Sequence, residues 1–149
     1  MTALNDLLQA VRQMYSAIEQ FDAAAAATLG VDRTALRAIN AMERGSVTPG
    51  TLGAELGLSS GSVTALLDRL ERAGHVERRL SREDGRRRDA DLTPAARVRA
   101  DRIYESLGQS ISVAFEKADA VQLQALVTGL SSLSAAFNAG ADRASRQID

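Results

Sequence analysis

Eight arginines fall between Arg69 and Arg88, against Glu71, Glu77, Glu83 and Asp84. That stretch carries +4 in a chain whose formal net charge is -1, so the remainder sums to -5. A basic patch on an otherwise acidic chain suits a localised contact with a polyanion, and equally a solvated charged loop. Other chemistries are scarcer. With no cysteine, disulfides, thiolate metal sites, iron–sulfur clusters and thiol chemistry drop out together. The single histidine, His75, leaves little for a histidine metal site or a catalytic triad. It follows Gly74 at the opening of a strand, which suits a structural or capping role. The serines are many, but no Gly-x-Ser-x-Gly elbow is expected to accompany them. No glycine-rich phosphate loop is present, and Lys117 lies in an expected helix without a glycine-rich lead. Asp84 with Asp89 or Asp91 could make a carboxylate cluster, yet the interleaved arginines favour ion pairs. No catalytic residue, metal site or cofactor is expected, and the chain does not read as an enzyme.

The elements that must carry this patch follow from periodicity. The chain has 149 residues, 45% hydrophobic and 25% charged, enough for one domain or a small domain with helical extensions. No apolar run approaching the roughly 18 residues of a membrane span is expected, nor a signal pattern, so the chain reads as soluble and cytoplasmic. Leu4, Leu7, Leu8, Val11, Tyr15, Ile18 and Phe21 recur at spacings of three and four, predicting a first helix to about Ala27. Asp32 caps a second helix through Leu36, Ile39 and Met42 that stops at Gly45. Thr48-Pro49 opens a short third helix that ends at Gly57. Ser59 caps a fourth, with Val63, Leu66, Leu67 and Leu70 inward, stopping at Ala73-Gly74.

The period then changes to two. Val76, Arg78 and Leu80 alternate with Glu77 and Arg79, and Ala90 and Leu92 with Asp89 and Asp91. Asp84-Gly85 supplies the turn signal of an antiparallel hairpin, which must lean on the helices before it. Thr93-Pro94 opens a long helix with the stripe Ala100, Ile103, Tyr104, Leu107, Ile111, Ala114, Phe115 and Ala118. Beyond Asp119 a last helix carries Leu123, Leu126, Val127, Leu130, Leu133 and Phe137.

Two short helices joined by Gly57-Leu58-Ser59 have helix-turn-helix spacing. Gly53 is small where the two would cross, and Ser59-Ser60-Gly61-Ser62 puts free N–H groups and short hydroxyls at the positive end of the second. Ser62, Thr64, Ala65, Asp68 and Arg69 point away from its apolar stripe. The hairpin that follows holds Arg82, Arg86, Arg87 and Arg88, and an arginine on such a tip suits the negative potential of a minor groove. Together they make a winged helix, a mainly α fold with a small β-hairpin.

Asp84-Gly85-Arg86-Arg87-Arg88-Asp89-Ala90-Asp91-Leu92-Thr93 resembles the Asp-x-Arg wing signature, ending in Leu-Thr, of the MarR (multiple antibiotic resistance regulator) family. Leu58 to Gly74 resembles its recognition helix, and the order of flanking helices also matches. The resemblance implies a winged helix-turn-helix over 31–93, with helices of 1–30 and 94–149 interlocking in a homodimer. It implies a transcriptional regulator, most simply a repressor, on a pseudo-palindromic stretch of double-stranded DNA. By the same resemblance Ser59, Ser60, Ser62, Thr64, Ala65 and Arg69 lie along the major-groove face, Arg86 enters the minor groove and Asp84 holds the wing. Arg82, Arg87 and Arg88 complete the basic tip. A small aromatic or anionic effector between the terminal helices and the winged helix is a further implication. Met14, Tyr15 and Phe21 could line its pocket, or be plain core residues. Gly53 where alanine is usual, and Ala90 where a larger aliphatic is common, suggest a looser helix crossing and wing. Arg97, early in the long helix, could hold a phosphate or a salt bridge. A reading from another class stays open: a helical-bundle interaction protein whose basic hairpin binds an acidic protein. So does an architectural DNA binder without sequence preference.

Overall fold

A computed structural model describes residues 2–81, 85 and 88–146. The order of elements is α1 (Ala3–Leu29), α2 (Arg33–Glu43), α3 (Pro49–Leu56), α4 (Ser60–Arg72), β1 (Val76–Leu80), β2 (Arg88–Leu92), α5 (Pro94–Ala114) and α6 (Ala120–Ser145). The chain forms two compact units, Met1–Glu105 and Ser106–Asp149.

Local chemistry sets the boundaries of the first unit. Gly30 takes the left-handed conformation (φ 69°) that ends α1, its N–H reaching back to Ala26 and Ala27. The carboxylate of Asp32 accepts from Ala35 N–H at 2.8 Å and opens α2. The hydroxyl of Thr48 accepts from Thr51 N–H ahead of Pro49. Leu36, Ile39, Met42, Leu52, Val63, Leu67, Leu70 and Val76 are the largest fully buried side chains. At about 1.5–3 kcal/mol for each large aliphatic side chain, this set is the main stabilising term of the unit. From α1 the core takes Ala25, Ala26 and Leu29; from α5 it takes Ala96 and Ala100.

Strands β1 and β2 pair antiparallel, Val76 opposite Leu92 and Leu80 opposite Arg88. The hairpin is anchored by more than its apolar face. Val47 and Ala90 exchange both backbone hydrogen bonds at 2.8 Å, adding a one-residue third rung. Ala90 is fully buried, so the expected looseness of the wing at this position is not found. The alternation in β1 fades toward its far end, where Leu80 is 65% exposed because the strand has run past the core. Arg78, on the same face, bonds instead to Asp68 and approaches Glu71 of α4 at 3.8 Å.

In the second unit α5 ends at Ala114, so Phe115 and Ala118 fall in the turn before α6. A capping box, Asp119 with Gln122, starts α6. None of its residues is buried; Val121 and Phe137 are 78% and 62% exposed. One expectation is corrected here: by length and composition α6 could cross a membrane. It is interrupted by Thr128, Ser131, Ser132 and Ser134, but each hydroxyl donates to the carbonyl four residues earlier.

Candidate nucleic-acid interface

The turn between α3 and α4 depends on Gly57 (φ 68°), the left-handed residue after Leu56. Leu58 N–H then bonds Gly53 O at 2.9 Å, folding the turn onto α3. A Cβ on Gly53 would lie 3.1 Å from Leu58 O and 3.2 Å from Val63 Cγ2. The crossing is therefore close, not loose as expected from the missing methyl. Glycine lets the two helices approach.

With Val63, Leu66, Leu67 and Leu70 buried, α4 exposes Ser60, Gly61, Ser62, Thr64, Ala65 and Arg69. The exposed side chains are short over the first turn and a half, so another surface can come close to the helix backbone there. Ser59 caps the helix: its Oγ accepts from Ser62 N–H at 3.3 Å and shares a 2.9 Å hydrogen bond with Ser62 Oγ. Thr64 donates to Ser60 O at 3.0 Å. These bonds are local and exposed, so they can be exchanged for bonds to a ligand at small cost. Gly57 to Gly61 does spell Gly-x-Ser-x-Gly, but it links two helices, and the Ser59 hydroxyl is engaged as a cap. It is not a nucleophile elbow.

The C-terminal half of α4 is held by charge. Arg69 Nη1 pairs with Asp32 Oδ2 at 2.6 Å, joining α4 to the start of α2. The Ala35 N–H holds the Asp32 carboxyl below the usual carboxylate range; burial opposes it, and Arg69 adds to the lowering. Asp32, Thr34, Ser62, Ala65, Arg69 and Arg72 line one shallow depression beside the exposed face. Asp32 was legible as a cap; its partnership with Arg69, 37 positions away, had no signal in the sequence.

Arg88 lies exposed at the start of β2, and Arg82, Asp84, Arg86 and Arg87 lie outside the described residues. Arg97 holds structure together. It donates to Glu43 O at 3.1 Å and Met42 O at 3.4 Å, and pairs with Asp91 at 2.8 Å. His75 is buried; its N–H bonds Leu70 O, and burial followed by the Arg99 charge lowers its pKa. The three residues considered for an effector pocket separate into two environments. Phe21 packs edge-on against Tyr104 (centroids 5.6 Å apart) beside the core, whereas Met14 and Tyr15 are exposed, with Tyr15 bonded to Glu19 on its own helix.

Residues 29–87 match the sequence model of the MarR family. The chain is 44% identical over 81 residues to the uncharacterized HTH-type transcriptional regulator YcgE of Bacillus subtilis (strain 168). That match takes in 54% of this chain and 53% of the relative, so it spans about half the relative's length. Among solved structures, a MarR family protein from Bacillus stearothermophilus superposes with a TM-score of 0.70 at 18% identity, over 93% of this chain and 99% of that one. A MarR-family transcriptional regulator from Silicibacter pomeroyi gives a TM-score of 0.58 at 23% identity, over 83% and 86%. At these identities the structural likeness speaks for the fold.

Proposed function

We infer from the match over residues 29–87 and from the relative that the chain is a winged-helix protein of the MarR family, and propose that it is a homodimeric DNA-binding repressor of transcription. It would act in the cytoplasm on a pseudo-palindromic operator and be released by a small aromatic or anionic effector. The observation that carries the reading is the α4 face: short polar and small residues exposed over Ser60 to Ala65, with a rigid apolar face behind them. Such a face can enter a major groove, where short hydroxyls and a helix N-terminus meet base edges and phosphates. By resemblance Arg86 is assigned to the minor groove, Arg82, Arg87 and Arg88 to the basic tip beside it, and Asp84 to holding the wing.

The helices of 1–30 and 94–149 are proposed as the dimerisation region. Leu4, Leu7, Leu8 and Ile18 of α1 and Val121, Leu126, Val127 and Phe137 of α6 are exposed, more apolar surface than a single chain in water usually leaves open. A second copy covering these faces would bury upward of about 2,000 Å², the range of obligate dimers. It would also set two α4 helices about 10 base pairs apart.

The test is selection of binding sites from random duplexes, followed by titration of the enriched site across a salt series on protein sized by sedimentation. A palindrome, a dimer and a steep negative slope are expected. Arg86→Ala should weaken binding and shallow the slope by about one ion per protomer, whereas Ser62→Ala should shift preference among sites at nearly constant slope. A micromolar monomer, or an Arg86→Ala protein with unchanged affinity and slope, overturns the corresponding assignment.

A further inference from the structure

On the DNA-binding reading above, we propose that Asp32 is a built-in competitor for Arg69: its carboxylate occupies the guanidinium that a DNA phosphate would otherwise take. Arg69 continues the exposed stripe of α4, at spacings of three and four from Ser62 through Ala65. At 1.5 Å per residue it stands about 10 Å along the axis from Ser62. A major groove is about 12 Å wide, so a helix that places Ser62 at the bases brings Arg69 to the groove wall, where the phosphates run.

In the free protein this arginine is already neutralised, by Asp32 at 2.6 Å. Both side chains are about half exposed, so the pair is worth little in water and a phosphate can displace it. Asp32 also accepts from Ala35 N–H, which fixes the carboxylate at the start of α2 whether or not Arg69 stays. Its carboxyl lies below the usual range, so it is charged throughout the neutral range and the competition does not switch off there. Two consequences follow. Arg69 gives less net counterion release than an unpaired arginine would, because Asp32 is left unpaired when the phosphate arrives. Affinity is held below what the basic residues alone would give, and Asp32 positions Arg69 without itself touching DNA.

Asp32→Asn tests this without removing the cap, since asparagine caps a helix about as well as aspartate. Binding of the full-length protein to a mixed-sequence duplex is measured across a salt series, in the wild type, Asp32→Asn, Arg69→Gln and the double variant. Thermal melts check that each is folded. The expected result is a several-fold tighter Asp32→Asn protein at about 0.1 M salt, with a slope steeper by up to one ion per protomer. The same substitution made on Arg69→Gln should change affinity by less than about twofold and leave the slope alone. If Asp32→Asn leaves affinity and slope unchanged, or weakens binding, the carboxylate does not compete and the proposal falls. An equal gain in the Arg69→Gln background would also overturn it, because general repulsion of DNA would then explain the effect. A wild type that binds no duplex at any salt overturns the DNA-binding reading itself, an outcome distinct from the others.

Discussion

Arg97 was open to two roles, and its contacts assign it to the scaffold. Its guanidinium bonds the last carbonyls of α2, Glu43 O and Met42 O, and pairs with Asp91 of β2. One side chain of α5 therefore ties together three elements of the winged helix. Arg97→Met keeps the apolar stem and removes all three bonds. A hydrogen bond from a charged donor contributes about 1.5 kcal/mol at the lower end of its range. The 3.1 Å bond to Glu43 O is counted at that value, and the 3.4 Å bond to Met42 O at about half. The pair with Asp91, whose side chains are 35% and 19% exposed, adds up to about 1 kcal/mol.

The loss is then about 2–3 kcal/mol, a large fraction of the stability of an ordinary domain. For a chain of this size that lowers the melting temperature by about 5–10 °C. Circular dichroism melts and urea titrations measure it, and a double-mutant cycle with Asp91→Asn should give a coupling of about 0.5–1.5 kcal/mol. Well below its melting point, the Arg97→Met protein should bind DNA with the wild-type salt slope. Unchanged stability combined with a slope shallower by one ion would refute the argument and make Arg97 a phosphate contact.

His75 and Glu43 give opposite pH signatures. Burial, then the Arg99 charge, holds the His75 pKa below 6.5, so the unfolded chain protonates first; stability should fall as pH drops below 6.5, until the folded group also takes its proton. His75→Gln should flatten that limb of a stability–pH curve, and an unflattened limb would exonerate the histidine. Burial, then the Asp101 charge, raises the Glu43 pKa above 4.5 against the opposing pull of Arg97, and Glu43 Oε1 has no hydrogen-bond partner among the described residues. Ionised Glu43 therefore costs stability above its folded pKa, a cost relieved as pH falls toward 4.5. Glu43→Gln should raise the melting temperature at pH 7, with a gain that vanishes below pH 4.5; a lower melting temperature at pH 7 would contradict this.

What the sequence displayed was mostly local. Asp32, Thr48-Pro49 and Ser59 start helices where their side chains said they would, because a cap needs only the next three N–H groups. The strands Val76–Leu80 and Arg88–Leu92 followed from the change of period. What it hid depends on distant pairs. The Val47–Ala90 rung, the Asp32–Arg69 pair and the Arg97 tie join residues far apart in the chain, and no periodicity encodes them. Gly53 was visible as a small residue at a crossing, but its consequence was inverted. A missing methyl suggested slack, whereas the backbone of Leu58 had moved in to use the space. In α6 the serines and threonines hid a helix whose average is apolar enough for a membrane span.

On the proposed DNA-binding function, the arginine count of the central stretch overstates the charge available to DNA. Of the eight arginines from Arg69 to Arg88, Arg69 is paired with Asp32, Arg78 with Asp68 and Glu71, and Arg79 with Glu77. Each pair sets an acidic side chain against an arginine of α4 or β1, and so neutralises charge. A salt slope of about 0.9 per neutralised phosphate would reach about seven per protomer if all eight arginines acted. The pairs bring it down, because a phosphate that displaces a carboxylate leaves that carboxylate to collect its own counterion. The slope per protomer should therefore fall short of the number of arginines in the sequence. The chain's small net charge also leaves little long-range field to add. On the proposed function, sequence preference would then come chiefly from the uncharged face of α4, Ser60 to Ala65, where close approach rather than charge decides which base pairs fit.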